Sequence, residues 1–293
     1  MRRCTIPEGV EVKISSELIR PWVVGKLITK ISVGERSRYA SKLPEGLKEF
    51  SDSFKSSELG GWVNSPALIT GVKTKGKFMY WTFDNNWYMF STFGMSGQWA
   101  SQAGKHVCLH VGLHDPRDID GAFSNVYFND PRHFGTIKFS NRQKDLTTKL
   151  AELGWDPLHD SIETWLSYLT KAIQQSNKPI GELLMKQKLF AGVGNYIRAE
   201  ALYLAKISPW RLGNKLTVSE IEILCKSLVL VMKESYNYQG ATIHTYKDPY
   251  GNEGRYSSCF KVYGQKKDPL GNIIIKETTP DNRSIHWCPT IQI

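Results

Sequence analysis

The stretch KPIGELLMKQKLFAGVGNYIRAEAL, residues 178–202, decides how the rest of the chain reads. Its pattern predicts a short helix that ends at Gly192-Val193-Gly194, with Asn195 opening a second helix. Two glycines let the backbone approach a ligand closely, and a new helix presents free N–H groups at the positive end of its dipole. Together they make a site for one phosphate, and Lys178 can add a charge nearby. Taken alone, Gly-x-Gly-Asn fits equally well the turn of a plain helical hairpin.

The rest of the composition bears on that choice. The 293 residues carry a formal charge of +10, which favours a polyanionic partner, nucleic acid being the usual one. The length suits two modest domains or one large one. Cys4, Cys108, Cys225, Cys259 and Cys288 are scattered, with no C-x-x-C pair, so neither a disulfide framework nor a zinc site is expected and a reducing compartment fits. No apolar run is long enough to span a bilayer, and no apolar segment follows Arg2 and Arg3 as a secretory signal requires. Repeats and low-complexity tracts are not evident.

Upstream of the opening stretch, Pro7 and Glu8 suit a helix start, and Val10, Ile14, Leu18 and Trp22 recur every four residues as one apolar stripe. From Leu27 to about Ser140 the texture is that of strands. KFMYWTF and WYMFSTF flank Asp84-Asn85-Asn86 as a hairpin, and HVCLHVGL and NVYFND read as further strands. An antiparallel sandwich or flattened barrel is the natural packing. His106, His110 and His114 share a strand face without a carboxylate or cysteine beside them, so a polar outer face is expected and no metal. The segment 143–158 has the look of a linker. Beyond it the chain turns helical, with capping boxes expected at Asp160/Glu163 and at Thr217/Glu220. Downstream of the opening stretch, from about Gly240, come two more strands, NIIIKET and RSIHWC, joined by Thr279-Pro280-Asp281-Asn282.

With these elements in order, residues 178–202 resemble the helix–two-turn–helix of the formamidopyrimidine-DNA glycosylase/endonuclease VIII (Fpg/Nei) family of base-excision repair enzymes. PEGVEV resembles the family's amino-terminal P-E-G-P-E-V, departing at Val10. KGKFMYW resembles the segment carrying the family's lysine. FGMSGQW and NDPRHFG resemble H-L-G-M-S-G and D-P-R-R-F-G, and FKVYGQKKDP with NRSIHWCPTIQ resembles the carboxy-terminal finger. The resemblance runs from Pro7 to Gln292. It implies an α+β protein: an amino-terminal β-sandwich domain with an amino-terminal helix over 1–142, a linker over 143–158, a helix–two-turn–helix domain over 159–239, and a lesion loop and finger over 240–293.

The resemblance also implies roles. Pro7 would be the nucleophile, its secondary amine attacking C1′ of the damaged nucleoside. Glu8 would be the acid/base partner. Lys77 would grip the phosphate flanking the extruded nucleotide, and Lys178, Asn195 and Arg283 would hold backbone phosphates. Met95, Arg132 and Phe134 would fill the hole left by extrusion, Arg132 facing the orphaned base. Zinc-bearing members hold the finger with two C-x-x-C pairs. Here the four positions are Leu270, Ile273, Cys288 and Ile291, which implies the zincless finger of some Nei-like members, with a dry apolar contact in place of metal. No cofactor is expected. The implied partner is double-stranded DNA with oxidised bases or abasic sites, bound by a monomer in the cytoplasm or nucleus, and the preferred lesion stays open between purine and pyrimidine. GATIHTYKDPYGNEGRY, residues 240–256, would suit a loop closing over an extruded base.

One feature conflicts with this chemistry. Behind Ile6, the Pro7 nitrogen is a tertiary amide with no proton and a delocalised lone pair, so it cannot form an iminium. Three readings remain: residues 1–6 are removed or translation begins later; another amine, such as Lys77 or the terminus itself, acts; or the protein binds lesions without cutting. A bifunctional glycosylase/AP lyase is therefore expected, with a non-catalytic damaged-DNA-binding protein as its alternative.

Overall fold

The computed structural model describes residues 7–53, 67–118, 124–243 and 246–293, which form two compact units. The first comprises Pro7, residues 11–151 and residues 242–254; the second comprises residues 8–10, 152–241 and 255–293.

Helix α1 (Gly9–Val23) belongs to the first unit from Glu11 onward. The expected four-residue stripe holds for its first half only: Val10 and Ile14 are buried, Leu18 is half-buried and Trp22 packs at the margin, while Val12, Ile19 and Val23 enter the sandwich core. A strict four-residue spacing drifts round a helix of 3.6 residues per turn, whereas spacings of seven and eleven stay on one side. Two antiparallel four-stranded sheets follow. One has the order β1 (Leu27–Val33), β6 (Val107–His114), β7 (Ser124–Asn129), β5 (Gln98–Ala100); the other has the order β2 (Ile69–Lys75), β3 (Phe78–Phe83), β4 (Tyr88–Thr92), β8 (Thr136–Ser140). A short helix, α2 (Leu47–Asp52), adds Leu47 and Phe50 to the core.

Alternation explains the sandwich. Met79, Trp81 and Phe83 of β3 point inward while Tyr80 and Thr82 do not; Leu109, Val111 and Leu113 of β6 do the same around His110. The two sheets meet where Trp81 packs on Trp99 with ring centroids 4.9 Å apart. The expected hairpin forms, with Asn86 in the left-handed region at φ 61° and Phe83 N–H donating to Trp87 O at 3.1 Å. His110 stacks on Tyr127 at 4.8 Å and hydrogen-bonds with Ser32 and Asn125. Among the described residues no cluster of three or more His, Cys, Asp or Glu side chains is arranged to hold a metal.

The segment that reads as a linker contains helix α3 (Gln143–Ala151), which belongs to the first unit. In the second unit Trp155 is fully buried against Phe190. Helices α4 (Ile162–Gln174), α5 (Ile180–Leu183), α6 (Asn195–Leu204) and α7 (Val218–Asn237) follow, then the hairpin β9 (Ile275–Thr278) and β10 (Ser284–Trp287). The Thr217/Glu220 capping box forms as expected. The first box does not form and its cap moves by one residue. Ser161, not Asp160, caps α4, accepting from Glu163 N–H, because the Asp160 carboxylate is taken by Asp156 N–H at 2.9 Å. No described helix is long and apolar enough to cross a membrane.

Candidate active site and nucleic-acid interface

Pro7 is buried in the first unit, and the residues before it lie outside those described. Lys77 is half-buried at the tip of the β2–β3 hairpin, where Gly76 turns the chain at φ 54°. Glu8 belongs to the second unit and is only 3 % exposed. Its carboxylate accepts from Tyr196 N–H at 3.0 Å and Ile197 N–H at 3.4 Å. The α6 terminus that the sequence offered to a phosphate is thus occupied by Glu8, which suits the positive dipole end. The Gly-x-Gly pair serves the same approach. Gly9 N–H donates to Gly192 O at 2.9 Å, and a Cβ on Gly194 would lie 2.2 Å from the Glu8 carboxyl carbon. No side chain fits there, so the two glycines let residues 8–10 dock on the α6 start.

Asn195, Arg283 and Lys178 all lie in the second unit, and each engages a protein partner. Asn195 Nδ2 donates to Ser284 O at 2.8 Å, next in sequence to Arg283. Arg283 faces Asp281 at 3.6 Å, and Lys178 pairs with Glu182. The amide oxygen of Asn195 accepts from Arg198 Nη2, and the same guanidinium donates to Gly181 O at 2.9 Å and Ser284 O at 3.1 Å. Arg198 is fully buried, and burial pushes its pKa down to about 10, still high enough to keep it charged at neutral pH. It ties α5, α6 and β10 together. The sequence carried no signal for it, since an arginine within a helix reads as surface. Glu200 is a second such residue. It accepts from the N–H groups of Lys261, Val262 and Tyr263 while burial pushes its carboxyl up.

Met95, Arg132 and Phe134 lie on two loops of the first unit. Phe134 is 54 % exposed, and the Arg132 guanidinium sits 5.3 Å from the centre of its ring. Met95 is half-buried, between Gly94 at φ 57° and Ser96. A Cβ on Gly94 would lie 2.4 Å from the Phe134 carbonyl carbon, so the two loops touch backbone to backbone.

The finger departs from the expected apolar contact. Leu270 and Ile273 are 75 % and 70 % exposed, while Cys288 is buried and Ile291 packs beside it against Ala199, Tyr203 and Val262. The reason is a turn, Asp268-Pro269-Leu270-Gly271-Asn272, that puts Leu270 at its tip. Asp268 accepts from Leu270 N–H, Asn272 N–H and Asn272 Nδ2, and also from Tyr203 Oη at 3.1 Å and Cys288 Sγ at 3.7 Å. Asp248-Pro249-Tyr250-Gly251-Asn252 makes the same turn in the first unit, with Asp248 accepting from Tyr250 N–H, Asn252 N–H and Asn252 Nδ2. There Tyr250 meets Trp22 edge-on at 4.6 Å and accepts its indole N–H. This segment is part of the loop read as a lesion cover; His244 and Thr245 lie outside the described residues.

Comparison with known proteins decides the family. Residues 6–137 match the formamidopyrimidine-DNA glycosylase N-terminal domain, and residues 153–247 match the formamidopyrimidine-DNA glycosylase H2TH domain. A formamidopyrimidine-DNA glycosylase from Chloroflexus aurantiacus is 30% identical over 98% of both chains. The chain belongs to the formamidopyrimidine-DNA glycosylase family. Another formamidopyrimidine-DNA glycosylase, from Halalkalibacterium halodurans, is 28% identical over 98% of this chain and all of its own. The crystal structure of MutM (Fpg) from Thermus thermophilus matches with a TM-score of 0.79 and 26% identity over 98% of each chain. A Lactococcus lactis Fpg mutant in complex with DNA containing Fapy-dG matches in fold, with a TM-score of 0.81 and 24% identity over 98% of this chain and 99% of that one. The sandwich unit and the helical unit are thus those of the formamidopyrimidine-DNA glycosylase fold.

Proposed function

We propose that this DNA glycosylase of base excision repair removes oxidised bases from duplex DNA and cuts the strand through a Schiff base on Pro7. Once Pro7 is amino-terminal, its secondary amine attacks C1′ and forms an iminium as the base departs with its bonding electrons. The iminium acidifies the C2′ protons. Loss of one drives β-elimination, which breaks the 3′ C–O bond, and δ-elimination then breaks the 5′ side. Glu8 protonates the sugar as it opens and relays protons afterwards. Lys77, Lys178, Asn195 and Arg283 bind phosphates, while Met95, Arg132 and Phe134 occupy the space of the extruded nucleotide. The domain division at 142, 158 and 239 belongs to the same proposal, as does a monomer working in a reducing compartment, cytoplasm or nucleus.

The observation that carries this reading is the fixed carboxylate of Glu8. A 3 % exposed acid, gripped by two backbone N–H groups directly after a proline, is a preorganised proton donor and acceptor rather than a solvated charge at a helix start. The test is a panel of duplexes, each with one defined oxidised purine or pyrimidine, offered to a chain beginning at Pro7. Base release with strand cleavage on both sides of the lesion is expected, and the panel ranks the lesions. Tight lesion binding without any base release would favour the non-catalytic binder. Glu8→Gln is expected to slow base removal by roughly 100-fold or more, within the span of general acid–base contributions, and cleavage of a preformed abasic site much less.

A further inference from the structure

We propose that Asp130, with Ser96, is a positioning residue that sets the wedge before DNA arrives. The inference rests on the reading of Met95, Arg132 and Phe134 as that wedge.

Asp130 is fully buried, at the start of the loop that carries Arg132 and Phe134. Its Oδ1 accepts from Ser96 Oγ at 2.6 Å and Arg132 N–H at 3.2 Å, and its Oδ2 accepts from Gly135 N–H at 2.6 Å. Ser96 Oγ also accepts from Arg132 N–H at 3.1 Å. Ser96 follows Met95 in sequence; Arg132 and Gly135 bracket Phe134. One carboxylate therefore cross-links both loops at positions next to all three wedge residues. From the other side, Arg38 Nη1 donates to His133 O at 3.2 Å and Gly135 O at 3.4 Å. This second hold keeps His133 at φ 58°, a left-handed conformation that a non-glycine residue rarely adopts.

The physical role follows from entropy. Side chains that enter a stack must be ordered, and ordering them on arrival weakens insertion. A buried carboxylate meets that cost during folding and leaves only the tips in solvent. An amide cannot replace it. With Nδ2 in the place of Oδ2, the amide faces Gly135 N–H as a second donor; flipped, it faces Arg132 N–H. Either way one backbone donor of the wedge loop loses its Asp130 acceptor.

The test compares Asp130→Asn and Ser96→Ala with the parent in a chain beginning at Pro7. Two substrates are used: a duplex with one oxidised base, and a single-stranded oligonucleotide with one abasic site. The second has no partner base and no hole to fill. Duplex excision is expected to fall roughly tenfold in Asp130→Asn, by misplacement of positioned groups, and about threefold in Ser96→Ala, by loss of the hydroxyl's two hydrogen bonds while the Arg132 N–H keeps Asp130. Single-strand cleavage should stay within about twofold of the parent, the scatter of a change outside the reacting groups. With 2-aminopurine opposite the lesion, the fluorescence rise that reports unstacking should be slowed in the same order. Equal losses on both substrates, or no loss on either, would overturn the inference. Ser96→Ala, which deletes one exposed-side hydroxyl, keeps the test decisive if Asp130→Asn does not fold. Met95→Ala and Phe134→Ala separate the two layers: if they lower duplex excision while Asp130→Asn and Ser96→Ala do not, only the positioning role fails; if they too are silent, the wedge reading fails and this inference with it.

Discussion

The residues proposed to bind phosphates in the second unit and those proposed as the wedge in the first are built in opposite ways. Lys178, Asn195 and Arg283 have their polar heads engaged by Glu182, Ser284 with Arg198, and Asp281. The wedge has its backbone held and its tips presented, with Phe134 54 % exposed. A group that already has a partner gains only the difference between that partner and a phosphate, and the gain falls with salt. On the proposed roles, a held wedge gains nothing from undamaged duplex and acts only when a nucleotide leaves the stack. On those same roles, the phosphate residues set how tightly any DNA is held, and the wedge sets what happens at a lesion.

Phe134→Ala offers the sharpest way to break this division. Excision from duplex is expected to fall roughly 100-fold, the equivalent of a few kcal/mol of unstacking left uncompensated. Affinity for undamaged duplex, measured by titration, should not change. A parallel loss on undamaged DNA would place Phe134 among the general contacts. Arg283→Ala and Asn195→Ala come next. Each should weaken damaged and undamaged duplexes alike, by roughly tenfold for the charged group, and Arg283→Ala should reduce the log–log salt slope by about 0.9, one phosphate's worth. Selective loss on lesion DNA would contradict the assignment.

The smallest effect belongs to the frame behind the phosphate residues. Glu220 is held down to about 2, chiefly by hydrogen bonds from Arg211 and then by the N–H of Thr217. A depressed carboxyl stabilises the fold above its unfolded pKa and loses that contribution as pH falls through the folded value. Arg211→Met should thus lower thermal stability at pH 7, and the difference from the parent should vanish as pH falls from about 4.5 to about 2. A constant difference across that window would show that Arg211 acts by packing instead.

Much of this architecture was legible in the chain. The runs KFMYWTF and WYMFSTF on either side of the Asp84-Asn85-Asn86 turn located β3 and β4, the run HVCLHVGL located β6, and Thr217-x-x-Glu220 located the start of α7 through its reciprocal hydrogen bonds. What escaped was mostly tertiary. The cap of α4 moved to Ser161 because Asp160 serves the Asp156 N–H in the preceding turn, a local competitor that the pattern did not flag. The finger positions Leu270 and Ile273 looked apolar enough to bury, but the Asp268 turn displays them. That turn was readable, since D-P-x-G-N occurs twice, at 248–252 and 268–272. The two copies share local hydrogen bonds and differ in surroundings: one carries Tyr250 onto Trp22, the other draws in Tyr203 and Cys288. Arg198 and Glu200 read as ordinary polar residues because nothing local marks a charge whose partners are backbone groups far along the chain. Glu8 was readable as an acid but not as the cap of α6, a contact across 188 residues.

Chemistry at Pro7 is the claim on which the rest depends, and the direct measurement is the mass of the trapped adduct. Borohydride reduction with an abasic duplex is carried out on a chain beginning at Pro7 and on the 293-residue chain, and the products are digested and sequenced by mass spectrometry. A secondary amine gives a reducible iminium, whereas an acylated proline nitrogen has no proton to lose. The expected result is one adduct, on the Pro7 nitrogen of the shorter chain, and none on any longer chain that keeps residues 1–6. An adduct of equal yield on Lys77 or on the amine of Met1 in the full chain would contradict it.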